Sequence, residues 1–67
     1  MRRKMEDFLV IDKGAATEQA IEEAKEELKK DAENGYSGKY VQDSIVFKVY
    51  ERDPFVYISA EWEEEEA

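Results

Sequence analysis

Apolar residues fall along the chain in three rhythms, and each predicts a different element. Phe8-Leu9-Val10-Ile11 is an unbroken apolar run between Asp7 and Asp12. It is too short for a helix and rich in β-branched residues, so it predicts a strand covered on both faces. Over residues 18–33 the spacing changes to threes and fours. Ala20, Ile21, Ala24, Leu28 and Ala32 form one narrow stripe, and Glu22, Glu23, Glu26, Glu27, Lys29 and Lys30 occupy the other face. Thr17 suits the N-cap, and Glu18 and the two lysines match the helix dipole. Glu26 and Lys30 have the spacing of a helical ion pair. Asn34-Gly35 ends the helix, with Gly35 free to adopt a left-handed cap. Lys13–Ala16 and Tyr36-Ser37-Gly38 are connecting loops.

The third rhythm is alternation, over about 40–50 and 55–62. Val41, Ile45, Phe47 and Val49 share one face of the first of these strands. Val56, Ile58, Ala60 and Trp62 share one face of the second. Pro54 cannot sit inside a ladder, so residues 51–54 make the connection. A loop of that length pairs Tyr50 with Phe55, Val49 with Val56, Phe47 with Ile58 and Ile45 with Ala60, and all the aliphatic pairs land on one side. The other side then carries Tyr40, Val46, Lys48, Tyr50, Phe55 and Tyr57. Asp43 falls at the sheet's end, where its carboxylate reaches water. Trp62 completes the aliphatic core.

These elements make a small α+β domain in the order β-α-β-β: a three-stranded, mostly antiparallel sheet with one helix packed on one face. Strand 1 pairs either parallel to the second strand or antiparallel to the third. One helix covers one side of a sheet, and the aliphatic side is the one it suits. The tyrosine-rich side is left open, and a contiguous exposed apolar patch marks an interface. Residues 1–67 form a single domain without repeat or linker. Residues 1–5 are expected to be a flexible basic start, and residues 63–67 a disordered acidic tail.

Composition narrows the chemistry. The chain has 67 residues, no cysteine and no histidine. That removes disulfides, thiolate metal sites, and the commonest metal ligand and general base. A core this small has little margin over chain entropy, so self-association is a physical expectation. Much of the net charge of -8 comes from Glu61 and the run Glu63, Glu64, Glu65, Glu66. The longest uncharged stretch, Pro54–Ala60, is far shorter than the roughly 20 residues of a membrane-spanning helix. Arg2-Arg3-Lys4 lacks the apolar segment of a signal peptide behind it, and the expected location is cytoplasmic.

No motif for catalysis stands out. Without His or Cys the usual nucleophile–base arrangements are missing, and a general acid needs a carboxyl in an apolar pocket. The strand-to-helix turn at Lys13–Thr17 has one glycine, short of a phosphate loop. The glutamate run lacks the alternating ligands and turn glycine of a calcium loop. The expectation is no enzyme, no metal and no cofactor.

The strand–helix–strand–strand outline in so short a chain resembles that of dodecins, small flavin-binding proteins that assemble into hollow shells. Their flavin-stacking tryptophan lies in the middle strand, whereas Trp62 falls in the last, so no function is carried over. Size and acidity are similar to those of small phage-encoded inhibitors.

The expected function is non-catalytic protein binding. One surface is the aromatic face of Tyr40, Val46, Lys48, Tyr50, Phe55 and Tyr57, where self-association into a dimer or larger homo-oligomer is also expected. The other is the acidic helix face and tail, Glu22, Glu23, Glu26, Glu27, Glu63, Glu64, Glu65 and Glu66. That surface suits an inhibitor or antitoxin-like binder of a basic, nucleic-acid-handling protein. The alternative is a dodecin-like shell or barrel that holds a small planar ligand. Direct nucleic-acid binding is not expected, because Lys48 is the only base within the aromatic patch and the domain repels phosphate.

Overall fold

The structure, a computed structural model, describes residues 1–35 and 38–66. Along the chain lie β1 (Arg2–Asp12), a 3-10 turn (Lys13–Ala15), α1 (Glu18–Asn34), β2 (Lys39–Tyr40), β3 (Val46–Arg52) and β4 (Phe55–Glu65). β4 is the centre of the sheet. β1 runs antiparallel along one side of it, and β3 and β2 share the other side, also antiparallel. The fold is α+β, one helix against an antiparallel sheet, with four strands where three were expected.

The helix forms where its stripe requires. Thr17 caps it, its hydroxyl accepting from the Ala20 N–H at 3.1 Å. Ala24, Leu28 and Ala32 are buried against Val56, Ile58, Ala60 and Trp62 of β4. Small residues on the helix let it lie close, while Trp62, Leu28 and Ile58 are the largest apolar side chains that are fully buried. Gly35 ends the helix at φ 77°, and its N–H donates to the Ala32 carbonyl. The ψ of 147° makes it an extended cap, not the left-handed helical one expected. A Cβ at Gly35 would lie 2.6 Å from the Gly38 carbonyl oxygen, so no larger residue fits there without a shift. Of the loop expected after it, Tyr36 and Ser37 lie outside the described residues.

The strand expected over 40–50 is interrupted. Ser44 donates its hydroxyl to the Val41 carbonyl at 2.7 Å and accepts from the Glu63 N–H at 3.0 Å. Asp43 is exposed and sits at φ 62°, a left-handed conformation that Asp tolerates better than most residues. This turn makes two strands of one.

The hairpin between β3 and β4 is tighter than expected. Asp53 and Pro54, joined by a cis peptide, are the whole turn, and Arg52 pairs with Phe55. Val49 therefore faces Ile58 and Phe47 faces Ala60. The register moves by two residues from the expected one, so every side chain keeps its face.

The segments expected to be loose form the far half of the longest ladder. Arg2, Arg3 and Lys4 pair with Glu65, Glu64 and Glu63, and the Glu66 N–H donates to the Met1 carbonyl. Opposite charges across neighbouring strands support such pairing. Ala67 lies outside the described residues.

Candidate protein-interaction surface

α1 covers one face of the sheet. The principal extents of 41 × 19 × 16 Å correspond to two layers, and no described element lies over the outer face. Register fixes which residues that face presents. Reading across β1, β4 and β3, the rows are Asp12–Phe55–Arg52, Val10–Tyr57–Tyr50, Phe8–Ser59–Lys48 and Glu6–Glu61–Val46. Tyr50 stacks on Tyr57, with ring centres 5.3 Å apart and planes 8° from parallel. Phe8 meets the other side of Tyr57 at 6.3 Å, tilted by 46°. Three rings thus make a continuous aromatic band across the three strands, in the offset and tilted geometries aromatic pairs favour.

The band is open to solvent. Phe8 is 53% exposed, Tyr50 47% and Phe55 42%, with Val10 and Val46 similarly bare. Ser59, flanked in register by Phe8 and Lys48, is buried beneath them. Of the residues expected here, Val46, Lys48, Tyr50, Phe55 and Tyr57 are on this face.

Tyr40 is not, which corrects the sequence expectation. It pairs with Glu64 and packs against the core on the helix side. The cause is the turn at residues 41–45. Partner numbers sum to 104 for β2 on β4 and to 107 for β3 on β4. An odd difference exchanges the two faces.

Phe8 and Val10 are the members that sequence reasoning missed. The apolar run 8–11 was expected to be covered on both faces, but β1 buries only one. Leu9 and Ile11 pack toward the core, while Phe8 and Val10 face outward. The run itself was the signal: with one helix in the chain, half of its residues had to remain outside.

The acidic residues divide into two groups. Glu22, Glu23, Glu26 and Glu27 lie exposed on α1, where Glu22 pairs with Lys25 at 3.7 Å. The run 63–66 is largely engaged within the chain. Glu63 and Glu65 both meet Arg2, at 3.4 and 3.5 Å, and Glu66 meets Arg3 at 3.7 Å. Glu64 is fully buried, accepting at Oε1 from the Gly38 N–H (3.0 Å) and at Oε2 from Trp62 Nε1 (3.2 Å). With both oxygens held by N–H donors inside the core, this carboxylate anchors structure and does not reach a substrate. The two groups of glutamates are not brought together into one surface.

Two concave regions are open depressions whose linings mix charged and polar residues with Val46 and Trp62 in one and Phe47 in the other. One of about 290 Å³ lies beside Lys4, Ser44, Val46, Glu61 and Glu63, and another of about 300 Å³ lies between α1 and Phe47. Among the described residues no three acidic side chains converge as metal ligands. No described helix is long and apolar enough to cross a membrane. Compared with known proteins, the chain matches no family model, and no curated protein or solved structure shows a significant match.

Proposed function

We propose that this chain is a non-catalytic protein-binding module whose contact surface is the outer face of the sheet. The observation that carries the reading is the exposed aromatic band Phe8–Tyr57–Tyr50, flanked by Val10, Val46 and Phe55. Tyrosine and phenylalanine in a patch low in charge gain most from burial against another protein, and tyrosine keeps its hydroxyl at the wet rim. The band offers phosphate few cations, which favours a protein over a nucleic acid as occupant. The cytoplasmic setting expected from the sequence remains part of this proposal.

A second reading keeps the acidic surface, as an inhibitor or antitoxin-like binder of a basic, nucleic-acid-handling protein. It draws support from Glu22, Glu23, Glu26 and Glu27, which stay exposed along α1. The run 63–66 adds less than expected, because its charges are buried or already paired.

Tyr57→Glu, and separately Glu22, Glu23, Glu26 and Glu27 all changed to Gln, separate the two readings in a capture experiment at low and raised salt. A bound protein lost with Tyr57→Glu and retained at raised salt supports the sheet face. A bound protein indifferent to Tyr57→Glu, but released by salt and by the helix substitutions, contradicts it, since exposed charge attraction is screened within about 10 Å at 0.1 M salt.

A further inference from the structure

The charges around the aromatic band follow a pattern that the band alone does not explain. Most charged side chains of the sheet are already spent. Arg2, Arg3, Lys4 and Lys13 pair with Glu51, Asp53, Glu61, Glu63, Glu65 and Glu66. Four in the rows of the aromatic band are not, and Lys39, paired in register with Glu65 at the far end of the face, is a fifth. Glu6 and Asp12 on β1, and Lys48 and Arg52 on β3, are exposed and form no ion pair within the chain among the described residues. Both acids lie in the β1 column and both bases in the β3 column. The columns are separated by β4, hence by about 10 Å, too far for direct pairing within one molecule.

We propose that the occupant of the outer face is a second copy of this chain, packed face to face about a two-fold axis that runs along β4. This inference rests on the reading of the face as a protein interface and names its partner. Such an axis lays β4 over the second copy's β4 and exchanges the outer columns, so β1 faces the second copy's β3. Asp12 then meets the second copy's Arg52, Val10 meets Tyr50, and Tyr57 meets its own counterpart. Phe8 meets Lys48, a cation on an aromatic face. Each contact off the axis occurs twice, as an isologous interface requires, and the Tyr57 self-contact on the axis occurs once. The roughly 30° offset of aligned sheets keeps these rows close.

The other in-plane two-fold, running across the strands, sets the acidic β1 column over itself and the basic β3 column over itself. Charge therefore selects the first arrangement. The net charge of -8 opposes any self-association, but the helix glutamates lie on the far side of the sheet from this contact.

The area is sufficient. Five apolar residues about half exposed, with the less exposed Tyr57 among them, present roughly 500 Å². With the four charged residues as a rim, the face approaches the roughly 800 Å² per partner of a standard interface.

Sedimentation equilibrium on wild type, Arg52→Glu, the double exchange Asp12→Arg with Arg52→Glu, and Tyr57→Glu tests this, with circular dichroism confirming that each variant folds. The wild type is expected to be a dimer. Arg52→Glu is expected to weaken it about tenfold or more, as like charges then face each other. The double exchange restores opposite charges at both sites and is expected to recover most of the affinity. Tyr57→Glu is expected to give a monomer. A wild type that is monomeric at every concentration overturns the second copy as occupant and leaves the face to a different protein. A dimer that survives Tyr57→Glu overturns this inference, because the contact then lies on another surface, and it too leaves the face to a different protein. A dimer lost with Tyr57→Glu but indifferent to both charge variants overturns the proposed axis.

Discussion

Glu64 joins two parts of the chain through one carboxylate. Its oxygens accept from the Gly38 N–H, between α1 and β2, and from the Trp62 indole two residues earlier on β4. Removing the acceptor withdraws a partner from both N–H groups, the Trp62 one buried and the Gly38 one half-buried. Glu64→Leu is expected to cost about 3 kcal/mol, and Glu64→Gln, which keeps one acceptor oxygen, about half of that. Urea denaturation midpoints measure both, and a Glu64→Leu midpoint equal to wild type would show that the carboxylate anchors nothing. Residue type alone does not distinguish Glu64 within a run of four glutamates. Parity does: the inward series Val56, Ile58, Ala60, Trp62 reaches Glu64 at the next step. Trp62 was legible as a core residue because its size and its place in that series agree.

Among the described residues strand β1 has one neighbouring strand, and its other edge is open. The bonds from the Glu66 N–H to Met1 and from the Lys13 N–H to Pro54 show that odd-numbered residues turn their backbone toward β4. Even-numbered residues, Phe8 among them, turn theirs to the open edge. There Asp7 Oδ1 accepts from the Phe8 N–H at 2.8 Å. A carboxylate that occupies an edge donor beside an apolar run blocks pairing with another strand. Asp7→Val is therefore expected to form higher assemblies on concentration, while Asp7→Asn, which retains an acceptor, behaves as wild type. Light scattering compares them, and an Asp7→Val chain that scatters like wild type would show that the edge needs no guard. The helix was legible from its stripe and N-cap, but not the extended geometry of its Gly35 end. The hairpin was legible in parity but not in register, because two registers that differ by two residues bury the same side chains. The turn that splits β2 from β3 was not legible, since Val41, Ile45, Phe47 and Val49 continue the alternation across it. Tyr40 changed faces for that reason.

For the whole molecule, charge at the two ends of the sequence sets the length of the sheet. Arg2–Lys4 and Glu63–Glu65 read separately as two loose, solvated segments. Read together they are complementary, and antiparallel pairing of the first strand with the last brings them into register. Each exposed pair contributes at most about 1 kcal/mol, so the ladder's backbone bonds and the inward Met5 and Trp62 share in holding it. The same arrangement removes the acidic run as a free surface and leaves the outer aromatic face as an open apolar feature. Amide NMR of the wild-type chain over a wide dilution series tests that conclusion most directly. The account predicts concentration-dependent shifts confined to residues 6–12 of β1, 46–52 of β3 and 55–61 of β4. Shifts that cluster on α1, or none at any concentration, would contradict it.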